Sequence, residues 1–304
     1  MDFKILAKKT LIFGLLLAAT SVAAEDLPVL SIFLPFDRTV VTAASITVEG
    51  SYRGQSEARV YLNLAQAVPG SDGDFSVSVP LEPGKNNILA QALDRNNKVL
   101  GFNKCRVLRL ASFADLDENY WAKPAIEAMA TLGIITGFPD GTFGPNYSIT
   151  RAQLATWLIR SLGEEISREA DQAQIFSDVP PSHWAFPYIN LAASRGLVQG
   201  YPDGTFRPEN TIIRAETVAV VVRLEKLPLA GEETPMPYLD IKPDYWAADL
   251  IKAAYEAKLT TYIKTAYFQP ADQISRGEAA NLLSRSSLLV PRINWLLDWE
   301  QGYF

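Results

Sequence analysis

Phe113-Ala-Asp-Leu-Asp-Glu-Asn-Tyr-Trp121 is the stretch that decides the fold, because the chain contains it three times. It returns as Phe176-Ser-Asp-Val-Pro-Pro-Ser-His-Trp184 and again as Tyr238-Leu-Asp-Ile-Lys-Pro-Asp-Tyr-Trp246. The spacing is 63 residues from Trp121 to Trp184 and 62 residues from Trp184 to Trp246, and no gap is needed. A fixed period of this length indicates a repeated supersecondary unit.

Two further motifs recur in the same register. The loop motif Gly137-Phe-Pro-Asp-Gly-Thr-Phe143 is matched by Gly200-Tyr-Pro-Asp-Gly-Thr-Phe206, and its Pro and Asp-Gly are typical of a turn. The second motif has three copies: Thr150-Arg-Ala-Gln153, Ile213-Arg-Ala-Glu216 and Ser275-Arg-Gly-Glu278. The first and third copies are capping boxes, whereas Ile213 supplies no side-chain acceptor.

Each repeat is therefore predicted to form a helix, a long loop and a second helix. In the first repeat the opening helix is expected from about residue 121 to residue 132. Pro124 lies in its first turn, where a missing N–H costs little, and Gly133 is the expected C′ residue. The second helix is expected to begin at Thr150, and an apolar face follows that cap.

The three motifs together resemble those of S-layer homology domains, over about residues 112–290. The resemblance implies a mostly α-helical module of three helix-loop-helix repeats in a three-fold pseudo-symmetric arrangement, with ligand grooves between neighbouring repeats. It also implies non-covalent anchoring to a cell-wall polysaccharide attached to peptidoglycan, commonly a pyruvylated secondary polymer. The implied location is exported: cell wall, cell-surface S-layer or periplasmic envelope.

The predicted ligand-binding residues lie in these motifs. An arginine at the first helical position stands beside free amides, where the guanidinium and the amides can hold a carboxylate together. A tryptophan offers a sugar a flat apolar face, an aspartate accepts hydroxyl hydrogens, and a glycine lets the sugar approach the backbone. The residues are Arg151, Arg214, Arg276, Trp121, Trp184, Trp246, Asp140, Gly141, Asp203 and Gly204.

Structural interpretations compete with these roles. Each Trp begins an apolar helix face, so core packing is the favoured interpretation for all three. Asp-Gly is more often turn chemistry than ligand chemistry. A helix N-terminus disfavours cations, so each arginine needs a compensating partner, and an anionic ligand is favoured over an acidic neighbour.

The third repeat departs from the loop motif. Lys264-Thr-Ala-Tyr267 replaces Pro-Asp-Gly-Thr, Tyr262 replaces Gly200 and Lys258 replaces Gly196. Phe268 and Pro270 remain, so the loop scaffold is expected to persist. Because the lost glycine changes the backbone path, the groove that relies on this loop is expected to bind weakly or not at all.

The region before the repeats has a period-two pattern typical of β-strands. Predicted strands are Ser45-Ile-Thr-Val-Glu49, Ala58-Arg-Val-Tyr-Leu-Asn63, Phe75-Ser-Val-Ser-Val79 and Asn87-Ile-Leu-Ala-Gln-Ala-Leu93. Short strands separated by Gly, Pro and Asn turns indicate an antiparallel sandwich. Residues 72–88 resemble the bacterial immunoglobulin-like modules found beside carbohydrate-active domains. Such modules serve as spacers, adhesion units or sugar binders. A spacer is the favoured role, and contact of the sandwich with an envelope protein partner is a further alternative.

The N-terminus has the layout of a secretory signal peptide, with lysines before the apolar run Leu11-Ile-Phe-Gly-Leu-Leu-Leu-Ala-Ala19 and cleavage expected after Ala24. No second apolar run of about 20 residues follows, so no membrane span is expected in the mature chain. Predicted boundaries are 1–24 for the signal peptide, 25–110 for the sandwich, 111–170, 174–230 and 236–290 for the repeats, and 291–304 for a tail.

Charge and cysteine content limit the function classes. The net charge of −6, which becomes −8 without residues 1–24, argues against nucleic acid as a partner. Cys105 is the only cysteine, so no internal disulfide is expected, and it is interpreted as a small buried hydrophobe. The aromatic-rich tail is expected to pack on the repeats rather than bind a partner.

A non-enzymatic envelope anchor is the predicted function, with no cofactor and no metal site. The alternatives are a structural scaffold that links peptidoglycan to an outer layer, and an accessory module of carbohydrate-active machinery. No nucleophile–base pair or metalloenzyme motif favours catalysis. His183, the only histidine, aligns with Tyr120 and Tyr245, so an aromatic slot explains it better than catalysis.

Overall fold

The computed structural model describes residues 29–163, 166, 174–231 and 233–303, and within them eight strands precede seven helices. The predicted signal peptide lies outside these residues. The strands are β1 (Val29–Leu34), β2 (Thr39–Val41), β3 (Ser45–Arg53), β4 (Arg59–Leu62), β5 (Ala65–Ala67), β6 (Asp74–Pro80), β7 (Gly84–Leu93) and β8 (Val99–Arg109). The helices are α1 (Lys123–Thr131), α2 (Arg151–Ser161), α3 (Phe186–Ser194), α4 (Arg214–Glu225), α5 (Ala248–Glu256), α6 (Arg276–Ser284) and α7 (Val290–Leu297).

The strands form two sheets. One has the order β1-β3-β6, and the other has the order β2-β8-β7-β4-β5. The predicted strands are present as β3, β4, β6 and β7. The expectation of purely antiparallel pairing is wrong at β2, which pairs with β8 in parallel, at Thr39↔Val107. Residues 35–38 carry the chain from the first sheet to the second at this point.

An apolar cluster with members on both sheets forms the core of this region. Val48 and Phe75 come from the first sheet, and Val60, Ile88 and Val107 from the second. Alternation along each strand explains this arrangement, because every second side chain points to the same face. Cys105 belongs to the same cluster and is 3% exposed, which confirms its interpretation as a small buried hydrophobe.

Each repeat contributes two of the first six helices, and these helices pack in pairs across the boundaries between repeats. Helix α2 packs against α3, α4 against α5, and α6 returns to pack against α1. Isolated β-bridges join the segments that precede α2, α4 and α6, through Ser148↔Ser275, Thr150↔Thr211 and Ile213↔Gln273. Each repeat therefore contacts both of the others, and the contacts run in a cycle from the first repeat to the second, to the third and back to the first.

The predicted helix signals are confirmed locally. Thr150 and Ser275 accept a hydrogen bond from the N3 backbone N–H, whereas Ile213 has no such side-chain bond. Gly133 follows α1 with φ of +72°. Lys258 follows α5 with φ of +61°, so the third repeat keeps this backbone conformation without glycine.

Helix α7 and the residues after it connect the two regions. Arg292 donates to the Ser161 carbonyl oxygen at 3.1 Å, and Leu296 is buried against Leu108 and Ala128. The tail therefore packs on the repeats, as predicted, but residues 298–303 also cover the β region. There Lys85 donates to the Asp298 carbonyl at 2.8 Å. None of the helices among the described residues is long and apolar enough to cross a membrane.

Candidate functional site

The aspartate of the Phe-x-Asp motif holds the long loop of its own repeat. The Asp115 carboxylate accepts from the backbone N–H groups of Phe143 and Gly144, both at 2.7 Å. Asp178 and Asp240 make the equivalent pair of bonds in the other repeats. This role is not evident in a single repeat, where Asp115 is most simply interpreted as a loop charge, but the recurrence of the aspartate in all three repeats is a sequence signal for it.

The three motif arginines join each repeat to the next. Arg151 donates from Nε to the Phe206 carbonyl at 2.8 Å, and Arg214 donates from Nη1 to the Phe268 carbonyl at 2.6 Å. Arg276 completes the cycle by donating from Nε to the Phe143 carbonyl at 2.8 Å. Each guanidinium therefore holds the end of the neighbouring repeat's loop.

These contacts correct two expectations for the arginines. The partners that compensate the cations at the helix N-termini are backbone carbonyls of the next repeat, and Arg214 adds an ion pair with Glu278 at 3.0 Å. The helix amides are not free either, because the N–H groups of Arg276 and Gly277 donate to the carbonyls of Tyr147 and Pro145. The equivalent amides of α2 and α4 are paired in the same way.

The three arginines differ in how deeply they are buried. Arg276 is 2% exposed, and burial lowers the pKa of its guanidinium to about 10. Arg214 is also buried, whereas Arg151 is half-buried and lines a pocket. A direct contact with a ligand therefore remains a prediction for Arg151. The guanidinium of each of the three already binds carbonyls of the neighbouring repeat, but Arg151 is the one of the three that also lines the pocket.

The pocket at Arg151 has a volume of about 210 Å³ and takes side chains from all three repeats. Arg151 comes from the first repeat, Glu216 and Arg223 come from α4 of the second, and Trp246 comes from the third. Tyr201 and Gly200 of the second loop also line it. We call this cavity the Arg151 pocket. It combines an aromatic face, two cations and one carboxylate.

The motif tryptophans are not core residues, and the core-packing interpretation is wrong. Trp121, Trp184 and Trp246 are 49%, 54% and 55% exposed. The helix face that follows each Trp is buried, but the Trp itself precedes the helix and is about half exposed. Their assignment as ligand-binding residues remains a prediction, and Trp246 is the one that lines the Arg151 pocket.

The Asp-Gly pairs form turns. Asp140 accepts from the N–H and the hydroxyl of Thr142, and Asp203 does the same with Thr205. Asp203 also pairs with Arg207 at 2.8 Å, and Gly141 and Gly204 have φ of +84° and +80°. The residues that line the Arg151 pocket do not include either pair. Turn formation explains the four residues structurally, and their role in ligand binding stays a prediction.

His183 lies in the aromatic slot that the alignment predicted. Its ring packs on Trp184 with 5.8 Å between centroids, as Tyr120 and Tyr245 pack on their own Trp neighbours. Its Nε2 atom lies 3.3 Å from the Glu209 carboxylate. The part of the chain that the structure describes holds no group of three or more His, Cys, Asp or Glu side chains able to bind a metal ion.

Comparison with known proteins identifies the repeats. Residues 112–155, 175–218 and 237–280 each match the profile of the S-layer homology domain. The C-terminal part of the chain therefore contains three S-layer homology domains, and the protein is an exported protein of the cell surface.

Three curated relatives illustrate the range of proteins with similar repeats. "Cell surface glycoprotein 1" of Acetivibrio thermocellus is 36% identical over 61% of this chain and 8% of its own length. The "Cellulosome-anchoring protein" of the same organism is 37% identical over 55% of this chain and 38% of its own length. An "Endoglucanase" of Bacillus sp. (strain KSM-635) is 31% identical over 62% of this chain and 20% of its own length. The chain thus spans well under half the length of each relative.

Proposed function

We propose that this protein is a non-enzymatic anchor of the cell envelope, held non-covalently on a cell-wall polysaccharide that is attached to peptidoglycan. The observation that carries the proposal is the Arg151 pocket, where an exposed Trp and two arginines meet at the junction of all three repeats. The β region is the part that the anchor displays. The names of the cellulosome-anchoring and cell-surface relatives support the same role.

The chemistry of the pocket fits an acidic saccharide, such as a pyruvylated wall polymer. The ring of Trp246 offers a flat apolar face to a sugar. Arg223 is exposed and forms no ion pair with the described residues. Its guanidinium is therefore available to bind a ligand carboxylate in a bidentate manner, while Glu216 can accept hydroxyl hydrogens.

The pocket does not support the hydrolase alternative that the endoglucanase relative raises. Glycosidases commonly use a pair of carboxyl groups on either side of the scissile bond. Among the described residues that line the Arg151 pocket, Glu216 is the one carboxylate. The similarity to the endoglucanase extends over 20% of that protein, so it does not transfer catalysis to this chain.

The proposal also includes the symmetry of the three repeats and the fold class of the β region. The cyclic order of the arginine contacts supports a three-fold pseudo-symmetric arrangement of the repeats. The apolar cluster shared by the two sheets supports an immunoglobulin-like sandwich as the class of the β region.

A sedimentation assay with purified cell-wall sacculi tests the proposed function. The wild-type protein is expected to co-sediment with intact sacculi and to remain in the supernatant after the secondary polymer is stripped by acid. Arg223→Gln and Trp246→Ala are expected to weaken retention at least tenfold, whereas Trp184→Ala, an equally exposed Trp outside the pocket, serves as the matched control. Absence of retention on intact sacculi would contradict the proposal.

A further inference from the structure

The Arg151 pocket has a counterpart in each of the other two repeat junctions. The repeat offsets of 63 and 62 residues match Arg151, Glu216, Arg223 and Trp246 with a second set: Arg214, Glu278, Arg285 and Trp121. The third set is Arg276, Gln153, Arg160 and Trp184. If the side chains that line these three grooves were equivalent, all three grooves would be open.

In the second groove, the side chain of Tyr262 occupies the space. Its ring stacks on Trp121, with centroids 5.7 Å apart and planes 13° apart. Arg214, Glu278 and Arg285, which are the other three members of this groove, lie close to its phenol. The hydroxyl oxygen is buried, and burial raises the pKa of the phenol.

The reason for this occupation lies in the loop. Tyr262 aligns with Gly200, which lines the open pocket without a side chain. The turn bond from the Tyr201 N–H to the Thr205 carbonyl has no equivalent at Ile263, whose N–H donates to Thr260 instead. The altered backbone and the added ring together place an aromatic side chain where the second repeat leaves a cavity.

The third groove is filled from α2. Trp157 aligns with Val220, a residue that lines the open pocket. Trp157 is 2% exposed, and the Arg276 guanidinium lies 5.1 Å from its ring centroid. Gln153 replaces the carboxylate of Glu216, and Arg160 stacks on Tyr188 at 5.3 Å. The groove thus lacks both the space and the acceptor of the open pocket.

We infer that each chain binds one acidic saccharide, in the Arg151 pocket, because Tyr262 closes the second groove and Trp157 closes the third. This inference rests on the proposed function and adds the number of sites and the residues that set it. The three-repeat fold is complete, but its polysaccharide attachment is monovalent. Avidity must then come from several anchored copies, since one chain cannot engage two points of the polymer.

The test follows the indole N–H signals of ¹⁵N-labelled protein during titration with a pyruvylated methyl hexoside. Each signal is assigned by its loss in a Trp→Phe variant. In the wild type, the Trp246 signal is expected to shift, while those of Trp121 and Trp184 stay in place. In Tyr262→Ala the Trp121 signal is expected to shift as well, and the calorimetric molar ratio is expected to rise from one to two.

Two variants control this result. Tyr262→Phe keeps the ring and should remain monovalent, and Tyr267→Ala removes an exposed tyrosine from the same loop without touching the groove. A shift of the Trp121 or Trp184 signal in the wild type would overturn the inference while leaving the proposed function intact. This titration uses the wild-type protein, so its outcome does not depend on whether a variant folds. An unmoved Trp121 in folded Tyr262→Ala would overturn the role of Tyr262. If no indole responds at all, the proposed function fails instead.

Discussion

Arg276, the first residue of α6, donates from Nε to the carbonyl oxygen of Phe143 at 2.8 Å, across 133 residues of chain. A second bond from its Nη2 reaches the Thr136 carbonyl at 2.9 Å. These bonds connect the third repeat to the first. The arginine of the motif therefore has a structural role that its place at a helix N-terminus does not reveal.

Arg276→Met should destabilise the helical region, because it leaves two loop carbonyls without their donor in a buried site. We expect the free energy of unfolding to fall by about 3 kcal/mol, since bonds from charged donors contribute about 1.5–3 kcal/mol each and are partly offset by desolvation. Urea unfolding followed by far-UV circular dichroism measures it. The exposed Arg223→Met should stay within about 0.5 kcal/mol of wild type; similar losses in both variants would contradict the structural role.

Gly200→Ala should destabilise the second loop. A Cβ atom at this position would lie 2.4 Å from Cε1 of Phe176 and 2.7 Å from the Thr205 carbonyl oxygen. Overpacking of this kind lowers the free energy of unfolding by roughly 2 kcal/mol. Calorimetry should detect this loss as a lower thermal midpoint of unfolding. Gly231→Ala is the matched control, because no atom lies within 4 Å of its added Cβ. Equal midpoints for the two variants would rule out the predicted clash.

Asp203 makes the loop sensitive to acid. Hydrogen bonds from the Thr205 hydroxyl and from Arg207 lower the pKa of its carboxyl to about 2. A lowered folded-state pKa contributes stability that is present above about pH 4 and is lost as the pH falls towards about 2. Asp203→Asn can keep the turn without the charge, so its unfolding midpoint should fall less than that of wild type over this range. Parallel curves for the two proteins would contradict this.

Cys105 should be unreactive in the folded protein. Burial raises the pKa of its thiol to about 11, so the nucleophilic thiolate is scarce at neutral pH. Ellman's reagent at pH 8 is expected to label the native protein at least a hundredfold more slowly than the protein unfolded in guanidinium. Fast labelling under native conditions would show that the β core opens at this strand.

The repeats and their helix starts could be predicted because short sequence motifs mark them. The 63-residue spacing located the repeats, and the residues at Thr150 and Ser275 determined the helix starts. The parallel pairing of β2 could not be predicted, since three residues have too little pattern to give a direction. The role of Asp115 was missed for a different reason: its partners lie 28 and 29 residues further along the chain.

The sequence could not show which of the predicted site residues share a pocket, because grooves between repeats depend on contacts that no single repeat contains. Trp246 lines a pocket whose walls come from the first and second repeats, and nothing in its own segment shows this. The change from Gly200 to Tyr262 is visible in the alignment, and it is the basis of the prediction that the groove at the third loop binds weakly or not at all. That the new ring fills the groove follows only from its stacking on Trp121.

The tail after α7 gives the β region a second mechanical connection to the repeats. Ala111 and Ser112 link the β region to the repeats covalently. In parallel, Arg106 donates to the Trp299 carbonyl at 2.6 Å, while Arg292 binds the first repeat. When drag at the cell surface pulls on the β region, the load is divided between a peptide link and a set of contacts strained in shear. Such an attachment resists twisting as well as pulling, so it holds the β region in a fixed orientation relative to the repeats.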